Sequence, residues 1–298
     1  YRQLSKLKST YVDTLPTLCD ENSKIHTSFL QTGTATGRLS SRNPNLQNIP
    51  VRTDEGRLIR AAFTSTPGTV FLSADYSQIE LVVLAHMTGD PNLVAAFKAG
   101  EDVHKYTASL IFNKSVDEVT PSERRIAKTI NFGIMYGMSA FRLAGDLGVS
   151  RSEAQDFITR YFERYKEVRR FIDETNESAR KNGYIKTRSG HIREVIGINS
   201  SNKVEKAAAE RVAVNSVIQG TAAEIMKKAM NSVYNEINKR GLKSRMILQV
   251  HDELIFEVSY EELDEMKSLV KTTMETIDTL SVPLKASVES AECWGDMH

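Results

Sequence analysis

An apolar, partly β-branched run over residues 69–74 ends at Asp75 and gives way to helical spacing at Ile79, Val82, Val83 and His86. A run of that kind predicts a buried strand. The helix after it stops at Gly89 with Pro91 just beyond, as helix C-termini do. Far along the chain, residues 245–250 and 254–258 form two short β runs around His251-Asp252-Glu253, a hairpin signal. Between these acids, residues 91–200 read as almost wholly helical. The best-marked start is Thr120-Pro121-Ser122-Glu123, with Thr120 as N-cap, Pro121 at the first helical position and Glu123 completing a capping box. Residues 203–238 predict one long helix or two, interrupted near Gln219-Gly220. Leu263, Met266, Val270, Met274 and Ile277 recur as a core-facing stripe. Residues 31–52, with Gly33, Gly37, Pro44 and Pro50, predict irregular backbone and short strands. The fold class is α+β: a small sheet carrying the acids, and a helical insertion between the first acid and the last.

With 298 residues the chain exceeds a typical domain of about 100–200, so one large or two coupled domains are expected. Forty per cent of it is hydrophobic and 26% charged, enough to bury a core. No apolar stretch approaches the ~20 residues of a membrane helix, and no signal or lipidation motif opens the chain. Its start at Tyr1 suggests a fragment or processed product. Cys19 and Cys293 lack metal-ligand spacing and read as free thiols in a reducing compartment. The net charge of +1 means that any nucleic-acid surface is a local patch.

Strand-borne carboxylates can hold divalent metal ions, and a helix face carrying Arg and Lys can hold a triphosphate. Together these are parts for phosphoryl or nucleotidyl transfer with two metals. On the helix from Pro121, residues 124, 128, 132 and 136 share a slightly drifting stripe that reads Arg, Lys, Phe, Tyr. Cations near a helix start oppose the dipole unless an anion is supplied there. Taken singly, Asp75 also reads as a helix N-cap or turn residue, and the stripe as a solvated basic turn followed by core aromatics.

Three strings lift those readings. They are Val70-Phe71-Leu72-Ser73-Ala74-Asp75-Tyr76-Ser77-Gln78-Ile79-Glu80-Leu81, the segment from Glu123 through Asn131-Phe132-Gly133 to Tyr136-Gly137, and Leu248-Gln249-Val250-His251-Asp252-Glu253-Leu254. In this order they resemble motifs A, B and C of the DNA polymerase I family, and the resemblance runs from Tyr1 to about Trp294. It implies template-directed DNA synthesis, with two Mg²⁺ ions (Mn²⁺ able to substitute), primer–template DNA and a dNTP as partners. Asp75, Asp252 and Lys128 are then the candidate catalytic residues. Asp75, Asp252 and the Tyr76 carbonyl are candidate metal ligands, since two close aspartates repel unless cations lie between them. Glu253 is an auxiliary acid that strand alternation points differently. Gln78, Glu80, His104, Arg124, Lys128, Phe132 and Tyr136 would bind nucleotide: Arg124, Lys128 and His104 on phosphates, Phe132 on sugar and base, Glu80 and Gln78 at the ribose 2′ position, Tyr136 at the template position. Thr36-Gly37-Arg38-Leu39-Ser40-Ser41 and Asn43-Pro44-Asn45-Leu46-Gln47-Asn48-Ile49-Pro50 also match family strings. Arg38, Gln47, Asn48, Arg211, Asn215, Gln219 and His251 would line the primer–template minor groove and backbone.

The resemblance further implies a thumb base at 1–30, a palm at 31–90 and 200–298 with a small antiparallel sheet and flanking helices, and all-helical fingers at 91–199. The rest of the thumb and any upstream exonuclease domain are expected to be missing, which would leave the chain distributive. A bacterial source would place it in the cytoplasm, at the nucleoid. Two departures stand out: Val82 replaces the family's usual Arg after Ile-Glu-Leu, and Gly190-His191-Ile192-Arg193 is less basic than the usual cluster. The rival readings are a primer–template binding module without catalysis and a two-metal nuclease. The nuclease accounts for the acids but not for the basic stripe.

Overall fold

The computed structural model describes residues 1–51 and 53–297. The chain divides into two compact units. Tyr1–Ser77, Ala223–Asp278 and Lys285–His298 form one; Gln78–Ala222 and Thr279–Leu284 form the other.

The first unit is built on a four-stranded antiparallel sheet. Its strands β3 (Thr69–Tyr76), β6 (Arg245–Val250), β7 (Glu253–Ser259) and β8 (Ala286–Ala291) stand in the order β6-β7-β3-β8. Central β3 is buried along most of its length, which explains its near-continuous apolar sequence. Strand alternation sorts its side chains. Leu72 and Ala74 pair across the ladder with Phe256 and Leu254. Tyr76, on the same side, donates its hydroxyl to the Met274 carbonyl at 2.7 Å, so this face packs on helix α11 (Leu263–Thr276), whose Met266, Leu269, Val270 and Met274 are buried. Burial pushes the Tyr76 phenol well above its ordinary value. The opposite face presents Phe71 and Ile255 to a core of Leu7, Tyr11, Leu46, Ile49 and Trp294. Leu7, Tyr11, Leu46 and Ile49 come from α1 (Arg2–Leu7), the turns that follow it, and the segment beside strands β1 (Ser28–Leu30) and β2 (Ser40–Arg42), and Trp294 comes from the turn after β8. Trp294 also lies under the Arg60 guanidinium of α2 (Asp54–Ala61), at 4.3 Å.

The second unit is mainly helical: α3 (Ile79–Thr88), α4 (Pro91–Ala99), α5 (Val103–Phe112), α6 (Pro121–Met135), α7 (Ala140–Leu147), α8 (Arg151–Arg164) and α9 (Lys166–Asn182). α3 is apolar nearly all round and correspondingly buried. Val82 is 2% exposed within it, so the position that carries an Arg in the family pattern here fills core. The capping box expected at Thr120 and Glu123 forms in both directions and starts α6. One feature departs from the helical expectation: strands β4 (Tyr184–Lys186) and β5 (Ile192–Glu194) make a short antiparallel ribbon. Gly183, at φ 77, ends α9 in the left-handed region. Thr187 and His191 then close a tight turn, and Ile185 is buried beside Val195 and Ile198.

Helix α10 (Lys203–Arg240) runs unbroken for 38 residues, one helix rather than two. Gly220 costs about 1 kcal/mol of helix propensity relative to Ala. Val217, Ile218, Thr221 and Ala222 around it are all buried, and that packing outweighs the penalty.

Candidate active site

The acids of the first unit meet through backbone hydrogen bonding. The Tyr76 N–H donates to the Asp252 carbonyl at 3.0 Å, bringing the end of β3 against the turn between β6 and β7. Asp75 stands one residue before that bond, and Asp252 supplies its acceptor. In the ladder Asp75 is directly opposite Glu253, so these two share a face of the sheet. Glu253 is 6% exposed and accepts the Ser73 hydroxyl at 2.5 Å. Asp252 lies in the turn and Glu253 opens β7, where the register sets it beside Asp75. His251 shapes the turn from the left-handed region, at φ 54, a rare conformation for a non-glycine residue.

Arg38 reaches this corner: its Nη2 lies 3.2 Å from Asp252 Oδ1. Gln47 donates through Nε2 to both the carbonyl and the side-chain oxygen of Gln249 at 3.0 Å, and its own Oε1 accepts from the Ser41 N–H. Gln47 therefore braces Gln249, whose amide in turn bonds the His251 carbonyl. Asn48 is exposed, and its carbonyl accepts the Tyr11 hydroxyl at 2.7 Å. Gln47, Asn48 and His251 open on a groove of about 1350 Å³ shared with Lys6, Asn43 and Asn45. A separate apolar cavity of about 880 Å³, lined by Leu4, Val12, Leu58 and their neighbours, contains none of the acids.

The donor chemistry of this corner fits a hard divalent cation. Two carboxylates and nearby carbonyls are oxygen ligands, and the Arg38 guanidinium already rests against one of them. Among the described residues no group of three or more His, Cys, Asp or Glu is placed to hold a metal ion. Mg²⁺ needs no such group, since it is usually held by one or two carboxylates plus substrate phosphates.

In the second unit, α6 carries the basic stripe. Lys128 is exposed on it, Phe132 is half-buried, and Tyr136 caps the helix just past its last residue. Arg124 pairs through Nε and Nη2 with Asp102 Oδ2, both at 2.7 Å. Asp102 also caps α5, accepting the His104 and Lys105 backbone N–H groups. Burial raises the Asp102 carboxyl, but the Lys105 N–H and Arg124 outweigh it and leave the group below its usual range. The His104 ring stands 5.6 Å from that of Phe132 and is pushed down to about 4, chiefly by burial. The Tyr136 hydroxyl donates to Glu80 Oε2 at 2.7 Å, joining the end of α6 to the first turn of α3. Gln78 begins α3 from the left-handed region, at φ 55. Arg211, Asn215 and Gln219 follow at four-residue spacing along one side of α10. Arg211 lies across Gly137, where a Cβ would come within 2.3 Å of its Cγ; with φ at +62, only glycine serves there.

Motif matching passed over Asp102, Gln249 and Asn131. Asp102 precedes His104 as an ordinary cap signal, and its pairing with Arg124 depends on α5 lying against α6. Asn131 is 0% exposed, a buried amide whose only signal was its polarity inside an apolar stretch.

Residues 1–296 match DNA polymerase family A. The chain is 53% identical to DNA polymerase I of Treponema pallidum (strain Nichols), covering all of this chain and 30% of that protein. It is 49% identical to the thermostable DNA polymerase I of Thermus thermophilus, over 99% of this chain and 35% of the relative. Among solved structures it resembles the POL domain of Pol1 from M. smegmatis in complex with DNA primer-template and dNTP. That likeness has a TM-score of 0.94 and 46% identity, and covers 99% of this chain and 52% of the other. The chain thus spans about a third of the length of these full-length relatives. No helix among the described residues is long and apolar enough to cross a membrane. The chain belongs to DNA polymerase family A.

Proposed function

We propose that this chain carries out template-directed DNA synthesis, joining a deoxynucleoside triphosphate to a primer 3′-hydroxyl and releasing pyrophosphate. The observation that carries the reading is the Tyr76–Asp252 backbone bond, which brings two acids far apart in the sequence to one corner of the sheet. The likeness to a polymerase domain bound to primer-template and dNTP supports it.

In this reading Asp75, Asp252 and the Tyr76 carbonyl hold two Mg²⁺ ions. When bound, these would lower the pKa of the primer hydroxyl and hold the triphosphate and leaving pyrophosphate. Lys128, Arg124 and His104 hold the phosphates, and Phe132 packs on sugar and base. Glu80 and Gln78 close the space at the ribose 2′ position, and Tyr136 guards the template position. Arg38, Gln47, Asn48, Arg211, Asn215, Gln219 and His251 line the minor groove and backbone of the primer–template duplex. Glu253 supports the acids through Ser73. Palm corresponds to 31–90 and 200–298, fingers to 91–199 and the thumb base to 1–30. A bacterial parent would work at the nucleoid.

Primer extension with Mg²⁺, all four dNTPs and labelled hairpin DNA tests the reading. Lengthened primers are expected. Binding without extension would mean a DNA-binding module, and shortened primers a nuclease.

A further inference from the structure

We propose that Asn131 is a positioning residue that holds His104 as the neutral Nε2–H tautomer, so that the imidazole offers a hydrogen-bond donor to a phosphate oxygen of the incoming nucleotide. The inference rests on the function proposed above, which supplies the triphosphate.

The tautomer follows from a count of protons in a buried cluster. Asn131 Nδ2 lies 3.0 Å from His104 Nδ1 and 3.1 Å from Thr107 Oγ1. Thr107 has one hydroxyl proton, and the Val103 carbonyl at 2.8 Å takes it. The Thr107 oxygen then accepts from Asn131 Nδ2 and from the Tyr165 hydroxyl at 2.9 Å. Both amide hydrogens of Asn131 are thereby assigned, one to Thr107 and one to His104 Nδ1. An Nδ1 that accepts carries no proton, so a neutral ring carries its proton on Nε2. Asn131 Oδ1 is farther from Thr107 Oγ1, at 3.3 Å. Turning the amide over would leave Nδ2 that longer contact and press Oδ1 against a Thr107 oxygen whose proton is already given to Val103, a weaker arrangement.

Nε2 has no hydrogen-bond partner among the described residues, and it keeps access to solvent although the residue is only 2% exposed. It is the nitrogen left for a ligand. Burial is the main reason that the ring is neutral. Asp102, on its own helix, favours the imidazolium, but that carboxylate is paired with Arg124. Arg124 and Lys128 on α6 oppose protonation, as does burial, and Tyr165 at the start of α9 is uncharged, its hydroxyl pushed far up by burial. The reversed tautomer would turn a lone pair toward a phosphate oxygen and repel it. Asn131 thus sets the sign of the His104–phosphate contact, while Arg124 and Lys128 supply charge.

Asn131→Asp tests this with almost no change of shape. Its carboxylate can only accept, so it draws a proton onto Nδ1. Nitrogen NMR of His104 in the whole chain, without DNA or nucleotide, should show Nε2 protonated and Nδ1 bare in the wild type at pH 7, and Nδ1 protonated in the variant. The KM for dATP on hairpin DNA should rise about 10- to 100-fold in His104→Ala, the scale of one hydrogen bond to a charged group, with a smaller change in kcat. A wild-type His104 with its proton on Nδ1, or doubly protonated at pH 7, overturns the proposal even if the variant fails to fold. So does an unchanged KM in a folded His104→Ala variant. If the wild type extends no primer, the polymerase reading fails instead, and the imidazole spectrum still decides what Asn131 does to His104.

Discussion

Replacing Arg38 by alanine should tighten divalent-cation binding at the Asp75–Asp252 corner. Arg38 Nη2 is 3.2 Å from Asp252 Oδ1, with side chains 23% and 28% exposed. Two unit charges at that separation attract by about 5 kcal/mol at an effective dielectric near 20. Fully exposed pairs keep only about 0–1 kcal/mol of such attraction. A pair three-quarters buried lies between, at about 1–2 kcal/mol. A cation that takes Asp252 must displace the guanidinium and sit near its charge. Removing Arg38 lifts both costs, so affinity should rise about 5- to 30-fold, since 1.4 kcal/mol is a factor of ten. Titration with Mn²⁺ followed by electron paramagnetic resonance, on the chain without DNA or nucleotide, reads this directly. Arg38→Lys, which keeps the charge, should stay near the wild type. Unchanged or weaker Mn²⁺ binding in a folded Arg38→Ala variant would show that the two cations do not share Asp252.

Asp75→Asn or Asp252→Asn should lower extension by about 10³-fold or more, because several kcal/mol of charge stabilisation are lost at tenfold per 1.36 kcal/mol, while DNA binding by gel shift persists. More than a few per cent of residual turnover would remove that residue from the metal site. Glu80→Ala should raise ribonucleotide incorporation by freeing the 2′ space and releasing Tyr136 from its 2.7 Å bond. Phe132→Tyr should improve acceptance of dideoxynucleotides, and unchanged sugar preference in both variants would mean the pocket lies elsewhere. His104 binds its proton more weakly folded, at about 4, than unfolded, near its ordinary 6.5, with burial the main cause. Its contribution to stability is therefore full above pH 6.5 and lost as pH falls toward 4, at most about 3 kcal/mol. Urea unfolding between pH 7 and 4.5 should show that loss in the wild type and not in His104→Gln.

What could be read from the sequence is whatever short-range physics decides. The capping box of Thr120 and Glu123 spans three residues, and the buried strand ending in Asp75 declares itself by its own apolar run. Both acids could be named in advance, but not the bond that joins them, because Tyr76 and Asp252 meet only through a register set by residues far apart in the chain. The same limit hid Glu253: reading the hairpin by alternation sets it apart from Asp252, whereas Asp252 lies in the turn and pairing across the ladder puts Glu253 opposite Asp75. At Gly220 local propensity pointed the wrong way, because it carries no account of the packing on every side. The ribbon at 184–194 escaped for the converse reason, being too short to show a period. The residues that orient others, Asp102 and Asn131, are the least legible of all. Their types are common and their roles exist only where α5 and α6 pack together. A motif therefore names the groups that would touch substrate, while the groups that fix their charge and tautomer emerge only from asking where each buried proton goes.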